Sequence, residues 1–190
     1  MRYNMIIEHF LLSVNETNSY IVACSETRSA VIIDPGEWSP QMAEFVNQQE
    51  LEVESILITH AHYDHTGGVQ ALREQYAGVQ VYSHASDDLK DGNVSDGDVL
   101  ELGKLKIRVF ETPGHTDDSI TFVVGCDVFC GDLLFAGSVG GTPDDEHFYE
   151  EIKSIREKII PLGDDMLVHP GHGPATTIAI ERLYNPFLMT

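Results

Sequence analysis

The run Thr59-His60-Ala61-His62-Tyr63-Asp64-His65-Thr66-Gly67-Gly68 constrains this chain more than any other stretch. It places three imidazoles and one carboxylate between His60 and His65, directly after the apolar segment Ser55-Ile56-Leu57-Ile58-Thr59. A segment of aliphatic and β-branched residues of that length reads as a buried strand. Side chains alternate along a strand, so His60 and His62 leave its end on one side. Asp64 and His65 join them only if the chain turns there, and Gly67 and Gly68 allow the tight turn that follows. Four potential ligands on one loop after a buried strand form an arrangement for holding a metal. The opposing reading, a polar loop that happens to be rich in histidine, does not account for the further ligands downstream.

Those are His115, Asp132 and His172, each just past an apolar, strand-like run and each directly preceded by glycine. They close the segments Leu105 to His115, Asp127 to Asp132 and Met166 to His172. A glycine at such a point permits close backbone approach, so that a short side chain reaches inward. Gathering ligands from the ends of separate strands builds a metal centre on a rigid sheet.

The series His-x-His-x-Asp-His, Gly-His-Thr, Gly-Asp and Pro-Gly-His-Gly resembles the signature of the metallo-β-lactamase superfamily. The resemblance runs from Ile33-Asp34-Pro35-Gly36 to Asn185-Pro186-Phe187-Leu188. Within the superfamily the chain is most similar to the short glyoxalase II-like hydrolases, above all at Gly131 to Ser138 and Gly171 to Thr177. It implies an αββα sandwich, two sheets face to face with helices outside, in one domain spanning residues 1–190. It also implies that His60, His62 and His115 hold one divalent metal, that Asp64, His65 and His172 hold a second, and that Asp132 bridges them. Asp64 and Asp132 thereby stand at the catalytic centre. Asp34, which follows a buried strand, is expected to orient a ligand histidine from behind. The longer glyoxalase II enzymes carry a C-terminal helical region that this sequence does not reach.

Imidazole and carboxylate donors without thiolate suit zinc first, with iron or manganese as alternatives. Paired metals lower the pKa of a shared water toward about 7 and polarise a carbonyl. The implied activity is hydrolysis of a small acyl compound, a thioester first. A mononuclear-iron dioxygenase of the persulfide type, resting on His60, His115 and Asp132, is the alternative from another reaction class. A lactonase or β-lactamase is the alternative among hydrolases, and a metal-binding module without catalysis is a third class. No Walker-type glycine loop and no Ser-His-Asp or Cys-His order points to a protein nucleophile.

Composition narrows the partners. With 31 acidic against 11 basic residues the net charge is −20, a field that repels phosphate backbones and so argues against a nuclease. No apolar run approaches the roughly 20 residues of a membrane span, and Glu8 and His9 break the N-terminal run, which reads as a strand rather than a leader. A small-molecule substrate, no membrane and a cytoplasmic location are the expectations, with the oligomeric state left open. Cys24, Cys126 and Cys130 lie in apolar runs without Cys-x-x-Cys spacing and read as buried thiols rather than ligands or disulfides.

Substrate choice is where the chain departs from its resemblance. Relatives usually carry an Arg where Gly140-Gly141-Thr142-Pro143 stands, and no Lys or Arg occurs from Val109 through Ile152 or from Ile159 through Glu181. The carboxylates of glutathione normally meet such cations; Arg73 and Lys90 are the nearest alternatives. Asp118 replaces the Gly common in Gly-His-Thr-x-Gly-Ser. Tyr63 is placed to touch substrate or to stand as an exposed spacer. Of the other histidines, His9 and His169 read as structural, His84 as the start of an irregular segment, and His147 as a surface residue after a polar loop.

Periodicity by itself supports an α/β layered domain. Strands are expected at 5–12, 18–24, 29–34, 55–59, 79–82, 99–102, 105–111, 120–125, 127–131 and 166–169. Helices are expected from Ser39-Pro40 with Met42, Phe45 and Val46 buried, over about 68–76, over 147–160 up to Pro161, and over about 176–183. Residues 84–98 read as irregular.

Overall fold

The computed structural model describes residues 4–84 and 89–189; residues 85–88, part of the expected irregular stretch, lie outside it. Among the described residues, two six-stranded sheets carry the fold. In the first, β1 (Met5–Leu11), β2 (Asn18–Cys24) and β3 (Ser29–Ile33) form an antiparallel meander. After helix α1 (Pro40–Gln48) comes β4 (Glu52–Leu57), parallel to β3. Helices α2 (Tyr63–Thr66) and α3 (Val69–Gln75) then lead to β5 (Gln80–Ser83) and the short β6 (Gly92–Asn93). The parallel pairs β3–β4 and β4–β5 need crossovers, and the helices supply them.

The second sheet runs from β7 (Val99–Leu102) through β8 (Leu105–Glu111) and β9 (Ile120–Val124) to β10 (Asp127–Gly131), all antiparallel. A small hairpin of β11 (Leu134–Phe135) and β12 (Ser138–Val139) follows, then α4 (Asp145–Ser154). β13 (Leu167–Pro170) returns parallel to β10, and β14 (Thr176–Thr177) and α5 (Ile178–Tyr184) complete the order.

Both β2 and β3 are buried at every residue, which follows from having a layer on each face. Val22, Val31, Ile33 and Leu57 face Ile107, Val109, Phe122 and Phe129 of the opposite sheet. The other face of the first sheet packs Ile21, Ile32 and Ile56 on Met42 and Val46 of α1 and Val69 and Leu72 of α3. The outer face of the second packs Val123, Val128 and Val168 against Ile152, Ile155, Ile159 and Ile178. Helix, sheet, sheet, helix is therefore the layer order expected from the resemblance.

The differences from expectation are local. β4 begins at Glu52, where alternating Glu and Val precede the apolar run. The metal loop contains a helical turn, α2, closed by Gly67 N donating to Tyr63 O at 2.8 Å. The helix expected over 147–160 starts earlier, with the Asp144 side chain accepting from His147 N. It does not stay α: residues 155–159 form a π turn and 160–162 a 3₁₀ turn. Ile155 and Ile159 both stay fully buried through it, and Pro161 then removes the donor the ladder needs. Thr176 and Thr177 pair with β13 instead of opening the last helix, which starts at Ile178 with Thr177 as its cap. Cys24 and Cys130 are buried, but Cys126 is half-buried because it occupies the exposed β9–β10 turn. No helix among the described residues is long and apolar enough to cross a membrane.

Candidate metal centre

The strand ends place every candidate ligand at one rim of the sandwich. His60 and His62 leave the end of β4, where Ile58 N is still held by Tyr82 O of β5. Asp64 and His65 ride on α2. His115 lies on the loop between β8 and β9, Asp132 just past β10, and His172 just past β13.

Three imidazoles converge first. His62 Nδ1 lies 3.0 Å from His60 Nε2 and 3.1 Å from His115 Nε2. One ring nitrogen cannot satisfy two others through protons alone, whereas three lone pairs aimed at one point suit a cation. A second group joins Asp64, His65 and His172, with Asp64 Oδ2 4.0 Å from His65 Nε2 and 3.5 Å from His172 Nε2. Asp132 lies between them. Its Oδ2 is 3.7 Å from His115 Nε2 and 3.4 Å from His172 Nε2, and its Oδ1 is 3.5 Å from His65 Nε2. His65 Nε2 and Asp132 Oδ1 are both buried without a hydrogen-bond partner, a costly state unless something else satisfies them. A Cβ on Gly171 would come within 2.1 Å of Asp132 Oδ1 and 2.7 Å of His65 Cε1; glycine there is what lets His172 approach. The residues present therefore fit a pair of cations.

A layer of contacts behind the donors sets their orientation. Asp34 has φ +50°, a conformation an Asp tolerates at some cost. Its carboxylate accepts from Thr59 N and Thr59 Oγ1, both at 2.7 Å, and lies 2.9 Å from His65 Nδ1. Since Thr59 gives its hydroxyl proton to Asp34, His60 Nδ1 at 3.1 Å donates to Thr59 Oγ1. His115 Nδ1 donates to Gly141 O at 2.6 Å. In His60, His65 and His115 alike, the Nδ1 proton is thus engaged and the Nε2 lone pair faces inward. Asp64 Oδ2 accepts from Asn15 at 3.2 Å and Thr17 at 3.1 Å. Asn18 Nδ2 donates to Pro170 O and Gly173 O, bracketing the turn that carries His172.

The electrostatics agree with a cation-binding cluster. Burial and the neighbouring His65 keep the His60 imidazole well below its ordinary pKa, hence neutral. Asp132 is held far below the carboxylate range: burial opposes this, but the neighbouring His172 and His65 imidazoles outweigh it. Burial of His65 favours its neutral form, yet Asp34 and Asp132 overcome that and push its pKa up to about 10. The carboxylates demand positive charge at this point, and a proton supplies it where a metal does not.

The seven candidate ligands read from the sequence, and Asp34, come together at this rim. Sequence reading did not find Asn15, Thr17 or Gly141, nor the contact in which Ala61 N donates to Asp118 Oδ2 at 3.0 Å. Asp118 itself stood out as a departure. Tyr63 remains exposed. His169 is buried with Nε2 2.9 Å from Asp127 Oδ1 and its ring stacked on Phe129; His9 is exposed and meets Asn18 Oδ1 at 2.7 Å. His147 sits between Asp144 and Asp117. Arg73 is tied to Asp91 and Lys90 to Asn93.

An αββα sandwich with histidine and aspartate donors gathered at one rim has the architecture of a metal-dependent hydrolase. The profile of the metallo-beta-lactamase superfamily matches residues 12–172. The chain is 36% identical to a hydroxyacylglutathione hydrolase of Francisella tularensis subsp. novicida, over 88% of its own length and 68% of the relative's. Among solved structures, it is similar to the BLEG-1 B3 metallo-beta-lactamase, with 31% identity and TM-score 0.88, over 97% of this chain and 100% of that one. It is also similar to ETHE1 from Myxococcus xanthus, with 31% identity and TM-score 0.83, over 95% and 83% of the two chains. The chain belongs to the metallo-β-lactamase superfamily.

Proposed function

We propose that this protein is a dinuclear metal-dependent hydrolase acting on a small acyl thioester. The observation that carries the reading is Asp132, whose two oxygens face donors of both clusters while one of them has no hydrogen-bond partner. His60, His62 and His115 would hold one ion, and Asp64, His65 and His172 the other, with Asp132 available to both. Zinc suits this donor set best, and iron or manganese are also compatible. Bound there, the ions supply Lewis acidity toward an acyl carbonyl and a nucleophile from water near neutral pH.

The chain's own residues do the rest. Asp34, Thr59 and Gly141 hold the inward nitrogens of His65, His60 and His115 as lone-pair donors. Asn15 and Thr17 anchor Asp64 Oδ2. Thioester hydrolysis is supported by the likeness to the hydroxyacylglutathione hydrolase. The second reading is a dioxygenase with a single iron on His60, His115 and Asp132, three residues that the structure also brings together. The completeness of the Asp64, His65 and His172 set, with its own anchoring bonds, favours the hydrolase. Metal analysis of the purified protein decides between them: two ions per chain and turnover of acyl thioesters are expected. One iron per chain with oxygen consumption on a persulfide would overturn the proposal.

A further inference from the structure

Strand pairing between the two sheets' ends stops just short of the three-histidine cluster. The last backbone bond there is Ile120 N donating to Thr59 O at 2.8 Å. Two residues further along each segment, the next tie is made by a side chain: Ala61 N donates to Asp118 Oδ2 at 3.0 Å. Ala61 separates His60 from His62, and Asp118 lies three residues past His115. The loop that bears Asp118 is itself closed, with Thr116 Oγ1 and Ser119 Oγ 2.6 Å apart and Gly114 N donating to Thr116 O.

We infer that Asp118 is a positioning residue that clamps the His60–His62 segment to the His115 loop and so sets the spacing of the three-histidine cluster. The inference rests on the reading that this cluster binds a metal. Its physical basis is that a carboxylate accepting from a backbone N–H makes a strong, directional bond. Ala61 is exposed, so losing Asp118 leaves its N–H to water rather than buried and unpaired. The expected consequence is therefore looser geometry of the ligands, without the penalty that would unfold the protein.

The test compares Asp118→Ala with Asp118→Asn, which keeps an acceptor but removes the charge. Amide exchange at Ala61, followed by NMR on the metal-free protein, reads the clamp directly: Asp118→Ala should speed exchange by at least about tenfold and Asp118→Asn by far less. Zinc affinity, read by competition with a chromogenic chelator, should fall about tenfold or more for one of the two ions in Asp118→Ala and stay within about threefold of wild type in Asp118→Asn. Unchanged Ala61 exchange in Asp118→Ala would overturn the clamp. Equal loss of zinc affinity in both variants would overturn it too, since charge rather than the hydrogen bond would then be responsible. Should wild-type protein take up no zinc, the dinuclear reading fails, while the exchange measurement still decides whether the clamp exists.

Discussion

Glu151 offers the sharpest test of the physics of this fold. It lies on α4 and is fully buried, and neither carboxyl oxygen has a hydrogen-bond partner. A Cβ on Gly114 would meet its backbone at 2.4 Å, and one on Gly140 would meet Oε1 at 2.5 Å, so two glycine loops seal it in. Burial raises its pKa from 4.5 to about 8; the backbone N–H of Gly140 pulls against this, and the charge on Asp132 adds to it. Between those values the native state keeps a proton that the unfolded state has lost, so stability falls as pH rises from 4.5 through about 8 and levels off above. At about 1.4 kcal/mol per tenfold, the penalty approaches about 3 kcal/mol at pH 7 and over 4 above pH 9. The cover is thin and buried sites relax, so about 2–3 kcal/mol at pH 8 is the working figure. Glu151→Leu keeps the volume and removes the penalty. Urea unfolding with chelator present should show the variant's stability advantage over wild type widening by about 2–3 kcal/mol between pH 4.5 and pH 8. Glu151→Gln should lose the same pH dependence but gain less stability, because its amide stays unpaired. Parallel pH profiles for wild type and Glu151→Leu would refute the reasoning.

Three further outcomes are expected. Asp132→Ala should lose or scatter both ions, and an unaltered metal content by mass spectrometry would remove its bridging role. Thr17→Val combined with Asn15→Ala strips two bonds from Asp64 Oδ2. Equilibrium dialysis should then show one ion held about 10- to 100-fold more weakly and the other unchanged; equal weakening of both would count against the division into two clusters. S-D-lactoylglutathione should show a high KM without a collapsed kcat beside a neutral acyl thioester, because Arg73 and Lys90 are engaged elsewhere and the chain carries net charge −20. A micromolar KM with strong preference for lactoylglutathione would defeat that argument.

What could be read from the sequence and what could not divide along one physical line. The donors were legible because each sits in a short local pattern at the end of an apolar run, and β-strands buried on both faces announce themselves by composition alone. Asp34 was legible for the same reason, standing in Asp-Pro-Gly after a buried strand. The contacts that orient the donors come from elsewhere in the chain: Asn15 and Thr17 reach Asp64 across a hairpin, and Asp118 reaches Ala61 from the other sheet. Their role depends on sheet twist and loop length, which leave no periodic trace. Two helix features also differ from the sequence reading. The spacing of Ile155 and Ile159 suits an α-helix as well as the π turn that forms there, and Thr176 and Thr177 pair with β13 before α5 can begin. Glu151 is the extreme case. Helical periodicity marks Ile152 and Ile155 as buried, and a glutamate beside them reads as a surface residue. Only the approach of the Gly114 and Gly140 loops turns that position inward. The glycine before His115 thus admits the α4 backbone as well as freeing a candidate ligand, and a buried carboxyl group beneath the His/Asp cluster is the consequence.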